Sequence, residues 1–127
     1  MRNAHREAMI SALERYLIKN WMVNVTGADL PGSSRPGMVN GRFPDLEGIT
    51  PVRGQRVFGA AEECDTYATK DSRERLDAFS RVRNAAVFLV IPAECYGPAR
   101  VYVQTVLPRR NIIVMPYGED INQLLMR

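Results

Sequence analysis

Met9, Ile10, Leu13, Tyr16, Leu17 and Trp21 recur at spacings of three and four. That period places them on one face of a helix over residues 3–20, with Asn3 as its N-cap and Arg6, Glu7, Glu14, Arg15 and Lys19 on the other faces. Residues 27–41 then hold five turn-forming Gly and Pro positions (Gly27, Pro31, Gly32, Pro36 and Gly37), two serines and Gly41. This stretch reads as loop, with short strand pieces near 22–25 and 38–39. Two strands are predicted over 42–49 and 55–64, joined by a turn through Pro51-Val52-Arg53-Gly54. A second helix over 72–82 opens on an Asp71…Glu74 capping box and buries Leu76, Ala78, Phe79 and Val82. The run from Ala85 to Ile91 is apolar without alternation, the mark of a strand covered on both faces. A third helix over 98–107 begins with Pro98 in its first turn and turns Val101, Tyr102, Thr105 and Val106 inward. A last strand over 111–115 ends at Pro116, and a short helix over 119–126 closes the chain. The second half is a β-α-β crossover, whose strands lie parallel. The pattern describes a single α/β domain over residues 1–127 with a mixed central sheet.

Composition adds bounds to that picture. The 127 residues are 46% hydrophobic and 24% charged, the balance of a soluble globular chain. No apolar run approaches the roughly 18 residues that span a membrane. The opening Met-Arg-Asn-Ala-His-Arg-Glu is too polar for a secretory signal, so a cytoplasmic protein with no membrane partner is expected. Cys64 and Cys95 lie far apart in or beside apolar segments, with His5 as the single histidine. A zinc site is excluded on that count, and buried free thiols are the simplest expectation. The net charge is +3, and fifteen of the 17 basic residues are arginine. Arginine's planar fork suits phosphate oxygens, although a GC-rich coding bias gives the same excess. Neither GxGxxG nor GxxxxGK[ST] occurs, which argues against a nucleotide-dependent enzyme.

The candidate chemistry lies in Arg42-Phe43-Pro44-Asp45 and in Phe58-Gly59-Ala60-Ala61-Glu62, followed by the helix Ser72-Arg73-Glu74-Arg75-Leu76-Asp77-Ala78-Phe79. Together with the order α-β-β-β-α-β, these residues resemble the PD-(D/E)xK nuclease superfamily, which includes restriction enzymes and archaeal junction resolvases. The similarity extends to a branch of small prokaryotic and phage proteins and covers roughly residues 41–92. It implies a three-layer α/β/α restriction-endonuclease-like domain of order α-β-β-β-α-β-α-β. It also implies a Mg²⁺- or Mn²⁺-dependent endonuclease acting on DNA or RNA. In such a site carboxylates from neighbouring strands hold the cation, and a lysine assists the nucleophilic water.

Mapped onto this chain, the resemblance makes Asp45 the first metal ligand. The second strand departs from the family pattern, because Ala60 and Glu62 stand where an acid and a lysine are expected. Glu62 then becomes the second ligand, with Lys70 or an arginine in the lysine's place. The competing register brings Glu63 and Asp65 forward, and the two exclude each other because a one-residue slip exchanges the faces. Glu14 (or Glu7) of the first helix is a further metal candidate. Arg42, Arg73 and Arg75 are the nucleic-acid contacts, Arg75 standing where the branch often has glutamine. A homodimer follows by analogy. The alternative is a catalytically inactive relative that binds nucleic acid or a protein, and a third reading is an unrelated α/β protein that self-associates through Tyr67, Tyr96 and Tyr117.

Overall fold

The computed structural model describes residues 3–108 and 111–118. Helix α1 spans Ala4–Trp21, and the Asn3 side chain accepts the backbone N–H groups of His5 and Arg6, as expected of an N-cap. The chain leaves α1 through Met22 in the left-handed region and enters β1, Asn24–Ala28. Strands β2, Leu46–Ile49, and β3, Arg56–Ala61, follow. Helix α2, Lys70–Ser80, leads to β4, Ala85–Pro92. A 3₁₀ turn, Ala93–Cys95, opens α3, Tyr96–Val106, and β5, Ile112–Tyr117, is the last described strand. The sheet runs β1-β2-β3-β4-β5 in space; the first three strands are antiparallel and β3, β4 and β5 are parallel.

Strand β4 is buried along its whole length because both of its faces are covered. Ala86, Phe88 and Val90 pack with Met9, Ile10, Leu13 and Leu17 of α1. Ala85, Val87 and Leu89 pack with Leu76 and Phe79 of α2 and Val103 of α3. Each large apolar side chain removed from water in this way contributes about 1.5–3 kcal/mol. Gly59 lies under α1, where an added Cβ would come within 2.7 Å of a Leu13 methyl, so the small residue allows the helix to sit close to β3.

The structure revises several local expectations. Residues 42–45 are not part of β2. Asn40 and Gly41 both have positive φ, and Val39 and Arg42 exchange backbone hydrogen bonds of 2.7 and 3.0 Å across them. This is the tight turn that Asn-Gly favours, and Pro44 then withholds a donor from any ladder. Helix α2 is capped by Thr69, whose hydroxyl accepts the Ser72 N–H, so Asp71 sits inside the first turn and not at the cap. The inward stripe of α3 is Ala99, Tyr102 and Val103, whereas Val101, Thr105 and Val106 face solvent. Ala99 is fully buried in a cluster with Ile91 and Cys95. Pro116 lies within β5, an edge strand that needs no donor on its outer side. Tyr67, Tyr96 and Tyr117, expected to be exposed, are half-buried against the core clusters.

The cysteines are not free thiols: Cys64 and Cys95 form a disulfide with Cα atoms 5.7 Å apart. It joins the segment after β3 to the 3₁₀ turn before α3. The short helix expected over 119–126 lies outside the described residues. Among those described, no helix is long and apolar enough to cross a membrane.

Candidate functional site

Asp45 is 3% exposed at the end of the sheet, one step before the Leu46–Gly59 pair and level with Ala60. Its backbone N–H donates to the Gly59 carbonyl at 2.8 Å, and its Oδ2 accepts the Ala61 N–H at 2.8 Å. A carboxylate locked this way presents one oxygen, Oδ1, to its surroundings. Two arginines meet it there. Arg6 of α1 pairs with Oδ1 through Nη2 and, through Nη1, with Asp29 Oδ2 at 3.0 Å. Arg75 of α2 reaches the same Oδ1 at 3.3 Å and Glu62 Oε1 at 3.0 Å. The Arg75 Nη2 also donates to the Phe43 carbonyl at 3.0 Å.

Carboxylates from one end of the β2–β3 pair, just before β2 and just after β3, and guanidinium groups from helices on opposite faces thus form one network. Both Arg75 and Glu62 are largely shielded from solvent, which strengthens each contact and raises the cost of leaving any member alone. The Glu62 carboxyl titrates above its ordinary value of 4.5 because burial disfavours the charge; Arg75 opposes that shift without cancelling it. Burial likewise works against the Arg6 charge, but Asp45 and Asp29 outweigh it and hold the guanidinium above its usual pKa.

The raised Glu62 pKa has a defined consequence for stability. The folded state binds this proton more tightly than the unfolded chain, so the contribution is full below the unfolded value. It declines as pH rises through the folded one. Glu62→Gln removes that titration. The variant is therefore expected to gain stability relative to wild type as pH rises above about 4.5, where wild type begins to lose this contribution. Parallel urea melts at several pH values measure it; a difference independent of pH would show that Glu62 ionises normally.

Beside the network is an open cavity of about 530 Å³, lined in part by Arg6, Asp29, Arg35, Arg42, Phe43 and Arg75. Arg42 pairs with Asp71 and Glu74 on α2. Of the residues that the sequence singles out, Asp45, Glu62 and Arg75 come together at one place and Arg42 lies at the cavity. The others stand apart from it. Glu14 lines a separate cavity of about 200 Å³ with residues of β1 and the following loop. The Lys70 side chain is 79% exposed and lies 3.9 Å from Glu74. Arg73 is exposed on α2. Glu63 of the competing register pairs with His5 at 2.7 Å and does not enter the network. Ala60 is buried in the core beneath α2.

Arg6, Asp29, Arg35 and Phe43 belong to the site although the sequence pattern does not mark them as members. Arg6 does not lie on an outer face of α1 as expected, and a signal for this exists: it stands three residues before Met9 and extends the apolar stripe, where a charge needs a partner. Asp29, in contrast, is brought to Arg6 only by the path of the loop.

A divalent cation takes oxygen ligands, usually open carboxylates and water. Here the outward oxygen of Asp45 and Oε1 of Glu62 already bind guanidinium. A further cation between Arg6 and Arg75 would meet two positive charges at contact distance. As arranged, the pair does not fit Mg²⁺ or Mn²⁺, and among the described residues no group of three His, Cys, Asp or Glu side chains is placed to hold a metal. Comparison with family models, curated proteins and solved structures gave no match to this chain.

Proposed function

We propose that this protein binds nucleic acid on a three-layer, restriction-endonuclease-like frame in which an internally neutralised acidic pair stands in place of a metal-dependent phosphodiesterase centre. The observation that carries the reading is Arg75, which spans Asp45 and Glu62 and places fixed positive charge where a hydrolytic site would place a cation. The strand order supports the frame: an antiparallel meander followed by a parallel crossover is the arrangement the resemblance implies. Binding needs positive charge that carboxylates have not consumed, and the exposed Arg35 and Arg73 provide it. The protein's pI near 9.1 favours a polyanionic partner.

One observation favours the rival metal-dependent reading: the fold brings Asp45 and Glu62 within reach of a single guanidinium group. Titration separates the two. Mg²⁺ and Mn²⁺ at millimolar concentration are expected to show no saturable binding and to support no nicking of plasmid DNA. An oligonucleotide is expected to bind with an affinity that falls as salt rises. Arg35→Ala with Arg73→Ala should lower the salt slope by about two, because each arginine neutralises one phosphate. Saturable Mn²⁺ binding that Asp45→Ala abolishes, accompanied by strand cleavage, would establish the nuclease instead.

A further inference from the structure

Phe43 is 56% exposed and lines the arginine-bearing cavity. Large exposed aromatics usually ride on loops that cost entropy to order when a ligand arrives. The backbone of this one is already held from three directions. On its N-terminal side is the Asn40-Gly41 turn, closed by the two Val39–Arg42 hydrogen bonds and tied to α2 by the Asn40 amide, which donates to the Ala78 carbonyl at 2.9 Å. The Phe43 carbonyl accepts from Arg75. On its C-terminal side Pro44 restricts the chain, and Asp45 is bonded to β3. The network around Asp45 therefore also serves as the anchor of an exposed ring.

We infer that Phe43 is a stacking platform for one unpaired base, and that the cavity takes a nucleotide of a single strand and not an intact duplex. This rests on the nucleic-acid reading above and narrows it. A ring half open to solvent on a fixed backbone offers a flat apolar face to any base, and the exposed Arg35 in the same cavity offers a fork for an adjoining phosphate. A volume of about 530 Å³ falls in the range of small-molecule sites, large enough for one splayed nucleotide. The cavity also holds Asp29 and Asp71, which repel phosphate but accept from the N–H donors on the pairing edge that an unpaired base exposes, the ring N3–H of thymine among them. A base inside a duplex offers neither its face nor its pairing edge. The mixed lining therefore favours the single strand.

The test uses the full chain, a fluorescein-labelled twelve-residue oligothymidylate and a duplex of equal length, both at low salt. The single strand is expected to bind more tightly than the duplex. Phe43→Ala should weaken single-strand binding about 5- to 150-fold, as loss of one stacked base does, and leave duplex binding unchanged. Phe43→Trp should keep the affinity and show quenched indole emission against an unquenched control with duplex. Because the ring is exposed, the melting temperature of Phe43→Ala should match wild type, so a loss of binding is not a loss of folding. Equal affinity for the two probes, or a Phe43→Ala variant that binds oligothymidylate like wild type, would overturn this inference while leaving nucleic-acid binding intact. Failure of both probes to bind the wild type would overturn the nucleic-acid reading and this inference with it.

Discussion

Asp45→Ala is expected to lower the unfolding free energy by about 3–5 kcal/mol, the usual result of removing one partner from a buried ion network. The magnitude follows from the neighbours that stay behind. Arg6 retains Asp29 and Arg75 retains Glu62, but both lose the shared carboxylate between them and face each other across the gap. The Ala61 N–H also loses its acceptor at the end of β3. Asp45→Asn preserves the shape, and it should be destabilised for loss of charge alone. Urea denaturation of wild type and both variants gives the values. The decisive comparison is a double-mutant cycle with Arg75→Met, because an apolar side chain removes the uncompensated charge. The double variant should be more stable than the sum of the single losses by roughly 0.5–3 kcal/mol. Strict additivity would show that Asp45 and Arg75 are neighbours without energetic coupling.

Breaking the Cys64–Cys95 bridge has the next largest expected effect. It closes a loop with a sequence separation of 31, and a loop of that length restricts the unfolded chain by about 3–4 kcal/mol. Cys64→Ser with Cys95→Ser, or reduction of the wild type by dithiothreitol, should lower the melting temperature by roughly 10–15 °C for a domain of this size. The two treatments should agree with each other. Reduction that leaves the melting temperature unchanged would mean that the bridge does not form in solution. In a thiol-rich cytoplasm, where such bonds are held reduced, the protein would work at the lower stability.

The element types were legible in the sequence because they depend on local spacing. The stripe of α1, the unbroken apolar run of β4 and the prolines and glycines between elements were sufficient to place the three helices, β2 to β5 and the parallel crossover, whereas β1 shows in the pattern only as a short piece near 22–25. Legibility failed where two local signals competed. Asp71 and Thr69 both suit a cap, and the pattern around Glu74 favoured the wrong one. Val101 and Ala99 both suit an inward face, and only the packing of α3 against the sheet selected the smaller residue. The Asn40-Gly41 signal was present in the sequence, yet the apolar residues beyond it read as an early start of β2.

By itself, the sequence determined the order and type of the elements, the mixed character of the sheet and the prominence of Asp45 and Glu62. Each of these follows from residues a few positions apart. Only the tertiary structure decided what surrounds those carboxylates. Arg6, Asp29, Asp45, Glu62 and Arg75 lie on separate elements of the chain, and nothing in their spacing indicates that two helices on opposite faces of the sheet deliver guanidinium groups to one oxygen. The pairing of Cys64 with Cys95 and the fixing of the Phe43 backbone have the same origin. They are contacts between segments remote in sequence, set by the closure of the sheet and by the burial that makes an unpaired charge too costly to leave.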